Sequence, residues 1–235
     1  MATRLNMLSE DCISTILSLT SPPDACRFML ASSSLRSAAE SDITFSLNKI
    51  SGRKSYVLSA RALSISLINE ANHWTWTTHS TSRFSEVIEL KTISNMEIEG
   101  RIGTQDLSPN TTYGVYLIIK VSDSAFGLDS IPSETSISKH EYSVTNTAYL
   151  CPLDDQKQQF ESLFFMNRRR MMEKRVVEGE GRRPSKRGDE WLEVELGEFF
   201  VGGKSEMVKM SLMEVKGHQL KGGLIIEGIE IRPKC

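Results

Sequence analysis

The chain carries little of the chemistry that marks an enzyme or a secreted protein. Its four cysteines, Cys12, Cys26, Cys151 and Cys235, are scattered with no C-x-x-C pair, and read as reduced thiols. Its four histidines, His73, His79, His140 and His218, stand at no metal-ligand spacing from Cys, Asp or Glu, so no metal site is expected. There is no G-x-S-x-G elbow, no phosphate-cradling glycine loop and no Cys/His signature. No catalytic residue, no cofactor and no enzymatic activity are expected. No apolar run approaches the roughly 18 residues a membrane helix needs. The amino terminus, MATRLNMLSEDCIS, has no unbroken apolar core and does not read as a secretory signal. A cytoplasmic and/or nuclear location follows as an expectation, and the sequon Asn110-Thr111-Thr112 should stay bare. The net charge of −2 implies no general affinity for nucleic acid or for acidic membranes.

What is present is organised around the stretch from Asp189 to Pro233. In Trp191 to Leu196, apolar and acidic residues alternate, so Leu192, Val194 and Leu196 share one face of a strand. Val208, Met210 and Leu212 do the same in the next strand. From Gly223 to Ile231 the apolar residues are nearly continuous, as in a strand covered on both sides. Upstream, Tyr56, Leu58 and Ala60 line one face, as do Met96, Ile98 and Ile102. After a turn at Pro109-Asn110, Tyr113, Val115, Leu117, Ile119 and Val121 line another. At least seven short strands with no helix between them predict an antiparallel sandwich.

Residues 8 to about 43 read differently. Ser9 suits a helix cap, and Ile13, Ile16 and Leu17 follow at i, i+3 and i+4. Ser21 and Pro22 stop that helix and start a second, with Ala25, Phe28 and Met29 on its apolar stripe. Leu35, Ala38 and Ala39 suggest a short third helix. Three helices this short are marginal alone and call for a partner. Residues 46–53 contain no Pro/Gly/Ser-rich linker, so the two parts should be closely coupled. Residues 138–188 break the strand pattern. Nine basic residues against three acidic ones between Arg168 and Arg187 read as a solvated insertion loop, rather than an import signal or a phosphate patch.

Two resemblances follow from these residues. WLEVELGEFF, MSLMEVKG and GLIIEGIEIRP resemble the carboxy-terminal part of the plant phloem protein 2 domain, the lectin module of the tobacco-agglutinin-like family; SARALSI resembles its opening. SEDCISTILSLTSPPDACRFMLASSSLRSAAESD resembles an F-box of the plant F-box/phloem protein 2 class, which docks on the Skp-family adaptor of an SCF ubiquitin ligase. The resemblance departs where Leu8-Ser9 replaces the usual Leu-Pro. The tryptophan and further helix expected after Ser41-Asp42 are also missing. The fold class expected is therefore α+β. A truncated three-helix F-box-like unit spans 1–45 and a joint 46–53. A jelly-roll-like lectin sandwich spans 54–235, with an insertion at about 138–188.

The resemblance implies a function and a set of residues. Leu8, Ile13, Ile16, Leu17 and Pro22 would hold the Skp-family adaptor by apolar contact. Trp74 falls where the lectins carry a binding-site tryptophan; their second, seven residues earlier, falls on Leu67. Saccharides present an apolar C–H face to a flat aromatic and a hydroxyl rim to carboxylates and amides. Trp74 and Trp76, two apart on a strand, are thus read either as sugar platforms or as packing. Glu195 and Glu198 are read either as rim acceptors or as exposed strand-edge glutamates. The implied protein is a non-catalytic substrate receptor whose target is a glycan, a glycoprotein or another protein. Its alternatives are an intracellular lectin with a vestigial F-box, and a protein-binding module that has lost sugar affinity.

Overall fold

The computed structural model describes residues 42–47, 52–129, 131–140, 142–152, 181–214 and 219–234. Thirteen strands occupy them: β1 Ile43–Leu47, β2 Lys54–Ser59, β3 Ser64–Ile65, β4 Trp74–Thr77, β5 Val87–Leu90, β6 Glu97–Gly103, β7 Thr111–Phe126, β8 Ser133–Lys139, β9 Tyr142–Ala148, β10 Ser185–Lys186, β11 Leu192–Val201, β12 Met207–Met213 and β13 Gly222–Pro233. They form two antiparallel sheets. One runs β1-β2-β13-β7-β11-β10, with β5 also pairing β13 and β4 pairing β5; the other runs β3-β6-β12-β8-β9. β13 is long enough to take β2 along Gly228–Ile231 and β5 along Ile225–Ile226 on the same edge.

The alternation read from the sequence decides which side chains meet. Val115, Leu117 and Ile119 of β7, Ile226, Ile229 and Ile231 of β13, and Ile98, Met210 and Leu212 of the second sheet are each at most 1% exposed and belong to one core. In β11 the phase changes at a bulge between Glu195 and Gly197, so Val194 and Leu196 point inward, and so do Phe199 and Val201. Gly197 sits against the facing sheet: a Cβ there would lie 2.6 Å from Ile137 Cγ1.

The expectation of an α+β chain is corrected: the described residues are all-β. Their only helical elements are three-residue 3-10 turns at Ala60–Ala62 and Thr104–Asp106. The predicted helical unit lies outside the described residues up to residue 41, and its last residues are strand. Ile43, Phe45 and Leu47 alternate with Thr44 and Ser46, a period of two that suits a pleat. Five registered pairs, from Ile43↔Leu58 to Leu47↔Lys54, join β1 to β2. Phe45 is buried against Tyr56, with ring centroids 5.2 Å apart. Asp42 completes the seam: its carbonyl accepts from Ser59 N at 2.7 Å and its carboxylate from Ser59 Oγ at 2.9 Å.

The segment 138–188, read as one insertion, is also strand at both ends. β9 pairs with β8 from Ser133↔Ala148 to Lys139↔Tyr142, and β10 pairs with β11. Residues 153–180, with most of the basic run, lie outside the described residues.

Candidate functional site

Trp74 and Trp76 lie on β4, opposite Leu90 and Ile88 of β5. They point to the same side, as their spacing requires, but meet different surroundings. Trp74 is 3% exposed, and its indole Nε1 donates to Ser66 O at 2.8 Å. Residues 66–73 wrap around it through successive turns, in which Glu70 N donates to Leu67 O and His73 N to Glu70 O, both at 2.9 Å. Lys91 Nζ closes the loop on Ala71 O at 2.9 Å. Trp74 therefore offers no open ring face; it is the post on which this loop is built. Leu67 rides outside the post, 45% exposed and in the left-handed region at φ 57°. That conformation costs a branched side chain about 1–2 kcal/mol, so the loop is held by its hydrogen bonds against its own preference.

Trp76 is half-buried at the rim of the core. The Arg61 guanidinium lies over its ring, 4.2 Å from the centroid. Glu86 in turn binds Arg61, accepting from Nε at 3.0 Å and also from Nη2. An indole, a guanidinium and a carboxylate are thus layered at the surface, the apolar and polar parts that a saccharide needs side by side.

Glu195 and Glu198 lie elsewhere. Both carboxylates accept from Lys234 Nζ, at 3.1 and 2.5 Å. The hydrogen bond from Lys234 holds the Glu198 carboxyl below its ordinary value, and the same bond holds the ammonium above its own. The two glutamates face outward on β11, whereas Trp76 faces the core side of the same sheet. The register Trp76↔Ile88, Ile226↔Ile88, Ile226↔Ile119 and Leu192↔Ile119 puts four strand spacings between β4 and β11. At about 4.8 Å each, that is roughly 19 Å. The four predicted sugar-binding residues do not form one site. Leu8, Ile13, Ile16, Leu17 and Pro22 lie outside the described residues.

The outer face of the larger sheet carries a charged network that the sequence reading missed. Arg232 holds Glu193 with two hydrogen bonds, of 2.7 and 2.8 Å, while lying 3.8 Å over the Tyr116 ring. Arg187 bridges Glu193 and Glu230 at 2.9 and 2.5 Å. The bonds from Arg232 hold the Glu193 carboxyl below its ordinary range and raise the guanidinium in return. Alternation shows that these acids face outward. Only strand pairing shows that Arg187, Glu193 and Glu230 converge. Beside them the loop 79–84 folds over the sheet: buried Glu227 accepts from Arg83 N at 2.7 Å, and Trp191 Nε1 donates to Thr81 O at 3.1 Å. Among the described residues, no group of three or more His, Cys, Asp or Glu is placed to hold a metal ion.

Comparison with known proteins adds the context. The family model of phloem protein 2 matches residues 53–233. The chain is 43% identical to F-box protein PP2-B13 of Arabidopsis thaliana, over 97% of this chain and 98% of that protein. It is 42% identical to F-box protein VBF of the same organism, over 97% and 99%. Among solved structures, it bears a distant likeness to a family 35 carbohydrate binding module from Clostridium thermocellum. The TM-score is 0.37 and the identity 8%, over 75% of this chain and 96% of that one. The alignment with PP2-B13 runs over 278 residues yet takes in 97% of a 235-residue chain, so about fifty positions of that relative have no counterpart here.

Proposed function

The chain belongs to the phloem protein 2 family, in the branch whose members are F-box proteins, and on that premise we propose that it is a substrate-recognition subunit of an SCF-type ubiquitin ligase. The observation that carries the reading is the 43% identity with PP2-B13 over 97% of this chain, which takes in the amino-terminal residues as well as the sandwich. Leu8, Ile13, Ile16, Leu17 and Pro22 hold the Skp-family adaptor, and the sandwich presents the target. No catalytic group is required, because a receptor acts by raising the effective concentration of a target beside the transferring subunits. The ligand class is an N-acetylglucosamine-type saccharide or N-glycan, or a protein that bears one. The surface for it is the layered Trp76, Arg61 and Glu86 at the rim of the sheet, where a sugar stacking on the ring would displace the Arg61 guanidinium that covers it.

Co-purification of the full chain with a plant Skp-family protein at low salt tests the ligase role, with PP2-B13 as the positive control. Retention of PP2-B13 but not of this chain ends it. An array of N-acetylglucosamine oligomers and N-glycan cores, read with Trp76→Ala beside the native chain, tests the saccharide role. Binding that is absent, or indifferent to Trp76→Ala, ends that part. A second reading, a lectin without a working F-box, is favoured by the absence of the tryptophan and further helix expected after Ser41-Asp42. It requires glycan binding to survive where adaptor binding fails.

A further inference from the structure

The basic run ends in Arg182-Arg183-Pro184-Ser185-Lys186-Arg187. Two arginines at the third and second positions before a serine, with more basic residues after it, form the charge pattern that basophilic serine kinases read. The structure shows what holds this segment. Arg182 is tied at one end, its N–H donating to Thr147 O at 2.9 Å and its carbonyl accepting from Tyr149 N at 2.8 Å. Arg187 is tied at the other, its N–H donating to Trp191 O at 2.8 Å. Between them, Ser185 and Lys186 form the two-residue edge strand β10, and both are exposed. An edge strand of two residues opens at little cost, leaving the extended segment a kinase cleft requires. Arg183 is exposed too, lying over Tyr149 at 4.2 Å.

We propose that Ser185 is a phosphorylation site for a basophilic serine kinase, and that its modification releases β10 from the sheet. ATP is the co-substrate. The Ser185 hydroxyl oxygen forms the new bond to the γ-phosphorus, the bond from that phosphorus to the β,γ-bridging oxygen breaks, ADP leaves, and the hydroxyl proton passes to the kinase base. The consequence follows from the register. Ser185 lies directly opposite Glu193, so the two side chains share the outer face of the sheet. Glu193 is already shared between Arg187 and Arg232. A phosphate carrying nearly two negative charges beside it either repels Glu193 or draws Arg187 out of the network. Both outcomes loosen the pairing that a two-residue strand supplies.

The experiment uses the full chain, Mg-ATP and two basophilic kinases as probes, the catalytic subunit of cyclic-AMP-dependent kinase and protein kinase C, with sites mapped by mass spectrometry. The expected result is phosphate on Ser185, none there in Ser185→Ala, and a rate at least tenfold lower in the double variant Arg182→Ala, Arg183→Ala. An unmodified Ser185 with both kinases overturns the site, whether or not a free RRPSKR peptide is modified. Hydrogen exchange then reads the release. The Arg187 amide should exchange at least tenfold faster in the phosphorylated chain than in Ser185→Ala treated alike. Equal rates overturn the release of β10.

Discussion

Replacing Phe45 by alanine asks whether the segment ahead of the family match is part of the sandwich. Phe45 is 7% exposed and packed on Tyr56, with the Lys54 ammonium 5.8 Å from its ring centroid. A buried phenylalanine removes roughly 150–200 Å² from water, worth about 4 kcal/mol at ~25 cal/mol per Å², of which an alanine methyl keeps about 1. The expected loss is about 3 kcal/mol, at the lower end of measured Phe→Ala costs, because an edge strand can relax into the space. In a chain of this size that is about 6–12 °C in Tm. All three tryptophans, Trp74, Trp76 and Trp191, lie in the sandwich, so fluorescence in a urea titration reports its unfolding alone. The urea midpoint should fall with an unchanged slope. Leu47→Ala, on the same strand but 46% exposed, is the control and should cost under about 1 kcal/mol. If Phe45→Ala costs no more than Leu47→Ala, β1 is not packed as described.

Three further outcomes follow from the same structure. Trp74→Ala should cost about 3–5 kcal/mol in a thermal melt, because it opens the core and leaves Ser66 O without its donor, whereas Trp76→Ala at the rim should cost at most about 2 kcal/mol. Gly228→Ala should destabilise by about 3 kcal/mol or more in urea, since a Cβ there would lie 1.9 Å from the backbone oxygen of Leu58. Glu193, bound by Arg232, and Glu198, bound by Lys234, are held below the ordinary 4.5 in the folded chain. A depressed carboxyl stabilises above its unfolded value and loses that contribution as pH falls through its folded one. A titration should therefore show stability flat in these groups above about pH 5 and falling below about 4.5. Glu193→Gln should shallow that acid limb and lower neutral-pH stability by about 1–2 kcal/mol. An unchanged acid limb would mean the Arg232 pair is not formed.

Much of the sandwich was legible residue by residue. The inward faces of β7, β12 and β13 were each read from apolar alternation or continuity, because a strand's two faces differ by the simplest of periods. Segments that lacked a bulky apolar signal were not legible. Tyr142–Ala148 is rich in Ser and Thr and reads as insertion, yet it is strand because β8 offers it an edge to pair with. Ile43–Leu47 straddles the expected helical unit and joint, yet its own alternation fits a strand.

The candidate site shows the same division. The spacing of Trp74 and Trp76 determined that they share a side. It did not determine that one closes the core while the other meets Arg61 at its rim, because burial depends on what packs above each residue. The acids of WLEVEL and GIEIRP were visible as an outward row; their partners were not, since Arg187, Glu193, Glu230 and Arg232 are brought together by pairing across β7 and through β10. Sequence alone determined the family, the sandwich and the inward faces of β7, β12 and β13, because these depend on local periodicity and on runs of residues. Tertiary structure alone decided that Trp76 stands four strands and one sheet face away from Glu195 and Glu198. That separation depends on strand order and register, which are set by contacts between residues far apart in the chain.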